Sequence, residues 1–463
     1  MNLSLSDLAL LPGAKLSSRA PLSGASRLSG VSTDSRAVSK GGVFVALRGE
    51  KFDGHAFVPD VVEAGAAAVV VDRSSDVPAS VARRASVVRV PDTAKALGDL
   101  ALIYRMKFDI PIIAVGGSNG KTTTKEMIAS VLAKKYSVLA TEGNFNNHLG
   151  VPQMLLRLRP KHEVAVLELG TNHFGELQYL CSVAIPTHGV VTNIGREHLE
   201  FFRTIEGVAE EETELFRFMQ ASSGTAFVNL DDPYLAKSAA GLEGAVTFGM
   251  KDAASMVRAI DVSLDRSGCA SFECRETLGS KKPRAFHVTL GASGMHNVSN
   301  ALSAIAVGAA FGVPVRSIQS ALHEFRSASK RMEVSVTPSG VTVLNDTYNA
   351  NPDSVSAALD TLMALKTASR KLVVLGDMFE LGRSAEEEHR MIGRAIGTLA
   401  PDFLVTVGPL ARLIGRESRL NQAHHFETKE EALDFLRSVI TPGDAVLVKG
   451  SRGMRMEEVA SGL

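Results

Sequence analysis

At 463 residues the chain exceeds what one hydrophobic core sustains, and its length suggests about three domains. Lys plus Arg and Asp plus Glu number 50 each, so no net field draws the protein to nucleic acid or to a membrane surface. Cys181, Cys269 and Cys274 lack Cys-x-x-Cys spacing, which argues against a disulfide scaffold and for a reduced interior. No basic stretch leads into an apolar core and cleavage site near residue 1. The most apolar long stretch, Ala301 to Val315, is too short to span a bilayer and carries Gly308, Gly312 and Pro314, so a buried helix is expected there. These features predict a soluble, cytoplasmic protein without membrane insertion, and nothing in them demands more than a monomer.

The first hundred residues have a grammar of their own. Val31 to Arg36 leads into Gly41 to Gly49, then Phe52-Asp53-Gly54-His55, and an Ala/Val-rich helix and strand run through Val71. Short strands and glycine turns predict a small α/β module. Asp34-Ser35-Arg36 is either a surface turn or a polar contact point. Met106 to Asp109 is expected to lead into the next domain.

An apolar run, Ile110 to Val115, predicts a buried parallel strand, and it empties into Gly116-Gly117-Ser118-Asn119-Gly120-Lys121-Thr122-Thr123. Met127, Ile128, Val131 and Leu132 then recur at helical spacing. Strand, glycine loop and helix in that order form the context of a phosphate-binding loop, where backbone N–H groups and the helix N-terminus face phosphate oxygens. Lys121 would reach the outer phosphates and the Thr122 hydroxyl would sit on magnesium. The full pattern places glycine where this chain has Val115, but Gly-x-x-Gly-Lys-Thr in this setting is far rarer than a bare Gly-Lys-Thr.

Further strands also end in polar residues, where open parallel sheets place their chemistry. Val164 to Gly170 delivers Glu168, and Gly189 to Ile194 runs out toward Glu197 and His198. Together with Thr122 these supply hydroxyl, carboxylate and imidazole, a set compatible with magnesium held partly by phosphates. Between them, Asn144, Asn146 and Asn147 lie in a turn-rich stretch that also suits hydrogen bonding to a sugar, a phosphate or a peptide. One helix is then expected to carry Ile205, Val208, Ala209, Leu215, Phe216 and Met219 as an apolar stripe, with Glu212 in its centre. Glu206, Glu210 and Glu214 point away. A carboxylate in a buried stripe needs a partner, either a metal ion or a core cation. Gly294 to Asn300 opens the apolar helix from Ala301 with polar side chains, for capping or for a nucleotide.

Beyond Ser327 to Arg331, strands at Val341–Leu344, Leu372–Leu375, Phe403–Val407 and Ala445–Val448 alternate with helical patterns, predicting a doubly wound domain. No dinucleotide fingerprint follows its first strand. The expected class is α/β with three domains. Residues 1–107 form the small N-terminal module, 108–327 a phosphate-loop ATPase-type domain with a mostly parallel sheet flanked by helices, and 328–463 a Rossmann-like domain.

Gly117 to Lys125, Asn144 to Pro152, Glu168 to Asn172, Thr192 to Leu199, His296-Asn297 with Asn300, Asn345 to Ser354 and Leu375 to Gly382 together resemble the Mur ligases over nearly the whole chain. The match is looser in the first hundred residues. The resemblance implies an ATP- and magnesium-dependent ligase that joins D-alanyl-D-alanine to UDP-N-acetylmuramoyl-tripeptide through an acyl phosphate, in peptidoglycan precursor synthesis. It implies precursor binding by the N-terminal module, and closure of the last domain over ATP. Lys121, His198 and Glu212 would be catalytic, and Thr122, Glu168, His198 and Glu212 would meet the metal. Gly117 to Thr123, Asn297, Arg331, Asp346, Tyr348 and Asn349 would hold ATP. Ser35, Arg36, Asn144, Asn147 and Asn172 would touch the substrate. Most Mur ligases carry a carbamylated lysine at the position of Glu212, so an encoded carboxylate would here replace a modified one. The alternatives are another Mur-type amino acid ligase and a non-catalytic nucleotide-binding protein of the same fold.

Overall fold

The computed structural model describes residues 2–17, 27–265, 267–278, 283–327, 329–366 and 368–463. Ala328, the expected first residue of the last domain, lies outside them. The chain divides into two compact units: 1–114, 136–170 and 175–188 in the first, and 115–135, 171–174 and 189–463 in the second.

The first unit contains a five-stranded sheet in the order Lys15–Ser17, Ser86–Val90, Ala68–Asp72, Val43–Val45, Val31–Ser32. Only its first strand runs antiparallel to its neighbour. Val43–Val45 and Ala68–Val71 are buried because helices cover a parallel sheet, which removes any hydrophobic-polar alternation. The helix Thr93–Arg105 starts at Asp92, whose carboxylate accepts from the Ala94 and Lys95 amides. Its last turn buries Tyr104, which donates its hydroxyl to the Leu158 carbonyl at 2.8 Å. Val138–Ala140 and Val164–Glu168 form a parallel pair in this unit.

A nine-stranded sheet has the order Arg284–Ser293, Cys269–Glu276, Val257–Leu264, Val246–Gly249, Thr225–Asn229, His188–Val191, Ile112–Gly116, Val164–Glu168, Val138–Ala140. Ile112–Gly116 is buried throughout, as its apolar run predicts. The expected buried helix near Ala301 spans His296–Ala310 and packs on the helix Lys121–Ala133. A β-carbon on Gly308 would lie 2.5 Å from Val131 Cγ1, so the Val131 side chain occupies the space that glycine leaves.

The single helix expected around Glu212 is two. Ile205–Glu212 stops at Thr213, and Glu214–Ser222 continues. At the break the Ala209 carbonyl accepts from both the Thr213 amide, at 3.0 Å, and the Thr213 hydroxyl, at 2.6 Å. The apolar stripe survives the interruption, since Val208, Glu212, Leu215, Phe216 and Met219 are all buried.

The remaining sheet has six strands rather than the four expected: Glu333–Val336, Thr342–Asp346, Ala445–Lys449, Lys371–Gly376, Phe403–Val407, Ala423–Phe426. The two extra strands lie at its edges. One is mostly exposed and the other reads Ala-His-His-Phe, so neither carries the apolar run of a central strand. Ala445–Lys449 lies between Thr342–Asp346 and Lys371–Gly376, so the polar segments after these three strands share one end of the sheet. Asp444 is fully buried at the start of Ala445–Lys449 and accepts from Arg370 Nη2 at 2.6 Å and the Thr441 amide at 2.8 Å. Burial opposes its charge, but Arg370 and Thr441 outweigh it and lower its pKa.

Two stability predictions follow from this packing. Gly308→Leu should lower the unfolding free energy by about 2 kcal/mol in denaturant titrations, because neither helix can retreat. Asp444→Asn should cost about 2 kcal/mol at pH 7. A depressed carboxylate pKa stabilises the fold above the unfolded value of 3.8 and loses that effect as pH falls. The gap between the two melting curves should therefore narrow below pH 4.

Candidate active site

The strand Ile112–Gly116 leaves the sheet through two glycines with positive φ, Gly117 at 109° and Gly120 at 81°. A β-carbon on Gly117 would lie 2.3 Å from Thr192 Oγ1, and one on Gly120 would lie 2.6 Å from Asn300 Oδ1. The turn therefore requires glycine for both conformation and space. The helix Lys121–Ala133 begins directly after it.

The loop is braced by its neighbours in the second unit. The Ser118 amide donates to the Asn193 carbonyl at 2.8 Å, and the Asn119 amide donates to Asn193 Oδ1 at 3.1 Å. The Thr192 hydroxyl and Asn193 Nδ2 both donate to the Asn119 carbonyl. The first loop amides thus bond to protein acceptors. Lys121 folds its ammonium back onto the Gly117 and Ser118 carbonyls and lies 3.4 Å from Glu197 Oε2. Thr122 and Thr123 are buried in the first turn. Thr124 donates to Asn300, which donates to Asn297, which donates to the Ser293 carbonyl. Asn300 therefore links the two central helices, and Asn297, 1% exposed, ties Asn300 to the end of the strand Arg284–Ser293.

Glu212 is fully buried beside this loop. Its Oε2 accepts the Gly117 amide at 2.6 Å, and its Oε1 is buried with no hydrogen-bond partner. Burial pushes its pKa up to about 7, against the opposing pull of Lys121. The neighbouring Glu211 is also buried and accepts from the Thr171 hydroxyl at 3.0 Å.

His198 has φ 49° at the start of the short helix Leu199–Phe202. Its Nδ1 lies 2.8 Å from Glu380 Oε2, and its Nε2 lies 3.9 Å from Glu197 Oε2. Burial disfavours the imidazolium, but Glu380 and Glu197 outweigh it and raise the pKa. In the first unit, Glu168 ends its strand buried, with Oε1 accepting from Asn146 at 2.9 Å and Oε2 unpartnered. Among the described residues, no group of three His, Cys, Asp or Glu side chains could hold a metal ion. The unpartnered oxygens of Glu168 and Glu212 are nonetheless hard donors of the kind magnesium takes alongside phosphate and water.

Arg331 precedes the strand Glu333–Val336, and Asp346, Tyr348 and Asn349 lie at or just past the end of its neighbour Thr342–Asp346. The Arg331 guanidinium stacks on the Tyr348 ring at 3.8 Å. Asp346 accepts from the Met332 amide at 3.0 Å and pairs with Lys449 at 2.5 Å, while Lys449 also donates to the Asn349 carbonyl. Lys449 is 2% exposed, so it is a structural cation at this end of the sheet.

Ser35 and Arg36 lie in an exposed 3-10 turn closed by Asp34, which accepts from the Arg36 amide and side chain. That pairing holds the Asp34 pKa at about 2. Asn147 Oδ1 accepts from the Leu149 and Gly150 amides just before the helix Gly150–Leu155, and the Asn144 carbonyl accepts from the Asn146 amide. These four lie in the first unit; Asn172 lies in the second, bonded to His173. Sequence reasoning named Glu197 at a strand exit without assigning it a role, and it passed over Glu380 and Lys449 as site members. Glu197 had a signal in its position beside His198. Glu380 and Lys449 reach their partners only through the fold.

Three family descriptions cover the chain: Mur ligase family, catalytic domain, at residues 27–105; Mur ligase middle domain at 115–308; and Mur ligase, glutamate ligase domain, at 330–452. The UDP-N-acetylmuramoyl-tripeptide--D-alanyl-D-alanine ligase of Bacillus subtilis (strain 168) is 35% identical over 438 residues, 94% of this chain and 93% of its own. The structure superposes on a MurF crystal structure from Acinetobacter baumannii with a TM-score of 0.88 at 32% identity, covering 99% of this chain and 98% of that one. For the MurF ligase of Thermotoga maritima in complex with ADP the TM-score is 0.82 at 28% identity, over 94% and 96% of the two chains. With a similar relative matched almost end to end, the chain belongs to the Mur ligase family.

Proposed function

We propose that this chain is an ATP-dependent ligase that joins D-alanyl-D-alanine to the terminal carboxylate of UDP-N-acetylmuramoyl-tripeptide, releasing ADP and phosphate, for peptidoglycan precursor synthesis. The observation that carries this reading is the match over 94% of the chain to relatives bearing that activity in their names. The ADP complex of a similar enzyme supports the nucleotide. Three separate sheets and three matched family regions support a division at 1–107, 108–327 and 328–463 for precursor binding, ATP chemistry and amino-substrate binding.

A carboxylate at neutral pH does not react with an amine. ATP therefore phosphorylates it, and the dipeptide amine displaces phosphate from the acyl phosphate through a tetrahedral intermediate. Lys121, at the loop's exit, is the cation that neutralises charge on the transferring phosphoryl group. Gly117 to Thr123 surround the phosphates, and Asn297, Arg331, Asp346, Tyr348 and Asn349 serve the rest of the nucleotide. Thr122, Glu168, His198 and Glu212 are the residues that would hold magnesium, which when bound supplies charge neutralisation to the phosphates. Ser35, Arg36, Asn144, Asn147 and Asn172 are assigned to the precursor and its peptide. The use of ATP and a nucleotide-linked precursor supports a cytoplasmic enzyme. No described helix is long and apolar enough to cross a membrane.

Glu212 takes the place of the carbamylated lysine of other Mur ligases. What supports this is its complete burial, its bond to the loop amide of Gly117, and the unpartnered Oε1. An encoded carboxylate needs no carbon dioxide.

Phosphate release from ATP should require both the UDP-linked tripeptide and D-alanyl-D-alanine, and should be unchanged in buffer stripped of bicarbonate. No release with the UDP-linked tripeptide, whether its third residue is diaminopimelate or lysine, would overturn the ligase reading, and stimulation by bicarbonate would overturn the role of Glu212. Glu212→Ala should reduce turnover by at least ~100-fold while the protein keeps its circular dichroism spectrum.

A further inference from the structure

The segment Asn193 to His198, between the strand His188–Val191 and the short helix Leu199–Phe202, is held on two sides. On one side the Gly195 amide donates to Ser118 Oγ at 2.8 Å, and the Ser118 amide donates to the Asn193 carbonyl. The segment is thereby bolted to the glycine loop. On the other side Asp353, in the first turn of the helix Pro352–Ala364, takes Arg196 twice. Asp353 Oδ2 accepts the Arg196 backbone amide at 2.6 Å, and Oδ1 lies 2.6 Å from Nη2. Arg196 Nη1 also lies 3.4 Å from Glu388.

Two details separate this arrangement from an ordinary surface ion pair. The carboxylate binds backbone as well as guanidinium, so it restrains the path of the segment and not merely a long side chain. Gly195 is sandwiched, since a β-carbon there would lie 3.0 Å from both Asn119 Nδ2 and Asp353 Oδ2. Asn351, at the cap of the same helix, adds a direct bond from its Nδ2 to Asn119 Oδ1 at 3.0 Å. Helix start, segment and glycine loop are in contact as three layers. Asp353 is not needed to cap its own helix, because Asn351 and Ser354 already form a reciprocal capping box.

We propose that Asp353 and Arg196 are positioning residues for phosphoryl transfer: the helix start Asn351–Asp353, seated on Gly195 and Arg196, sets the geometry of the glycine loop and of the segment carrying His198. This rests on the ligase reading above and deepens it. The helix start belongs to the region assigned to the amino substrate, so that region becomes a structural condition for chemistry on ATP.

The test compares Arg196→Ala, Arg196→Lys and Asp353→Ala with the unaltered protein, by steady-state phosphate release and by hydrogen–deuterium exchange of the 193–202 amides without substrates. Arg196→Ala should lower kcat about tenfold, and Asp353→Ala, which loses the backbone bond as well, should lower it by roughly 100-fold. Arg196→Lys should recover part of the loss. The KM for the UDP-linked precursor should stay within about twofold, because the residues that bind it are left untouched. The 193–202 amides should exchange faster in both alanine variants. Unchanged exchange, a kcat within about twofold of the unaltered protein, or a loss confined to KM would overturn the proposal. If the unaltered protein itself releases no phosphate, the ligase reading fails. Amide exchange and the affinity for ATP alone then decide whether Arg196 and Asp353 set the loop.

Discussion

Three glycines, the last of the strand Ile112–Gly116 and two in the loop after it, have no room for a β-carbon, and the elements that meet there are arranged around that constraint. Gly116 faces Glu212 Oε2, Gly117 faces Thr192, and Gly120 faces Asn300, each closer than a side chain would permit. The loop must leave a buried strand, turn with positive φ and enter a helix within a few residues, with its first amides bonded to Glu212 and Asn193. Only glycine meets these demands together. The surrounding elements fill the space that the missing side chains leave, which is why the segment after His188–Val191, the helix from His296 and the helix ending at Glu212 all converge here.

That convergence concentrates charge in a chain whose formal net charge is zero. Lys121 with Glu197, His198 with Glu380, Asp346 with Lys449 and Arg196 with Asp353 are all partly or fully withdrawn from water. Such pairs do little for stability because desolvation opposes their attraction, but breaking one strands a charge. Their value lies in geometry. Glu212 differs in having no cation as its direct partner: it is held by one amide, with one oxygen unpartnered.

The central strand, the glycine loop and the helix after it were legible because each is local: an apolar run of strand length, then small residues, then 3.6-residue periodicity. The buried position of Glu212 was legible from the same periodicity. The break at Thr213 was not, since it leaves the apolar spacing undisturbed. The edge strands Glu333–Val336 and Ala423–Phe426 escaped because an exposed strand need not look hydrophobic. Asn147 and Arg36 illustrate the opposite case, where polar residues suited to a ligand are engaged by their own turns.

The sequence by itself determined the family, the α/β class and the identity of the chemical groups, because motif spacing and hydrophobic periodicity are properties of neighbours along the chain. Only the tertiary structure decided which of these groups meet. Glu380 beside His198, Lys449 against Asp346 and Asp353 around Arg196 join residues separated by 182, 103 and 157 positions. Their pairing follows from strand order and helix packing, and no local pattern encodes it.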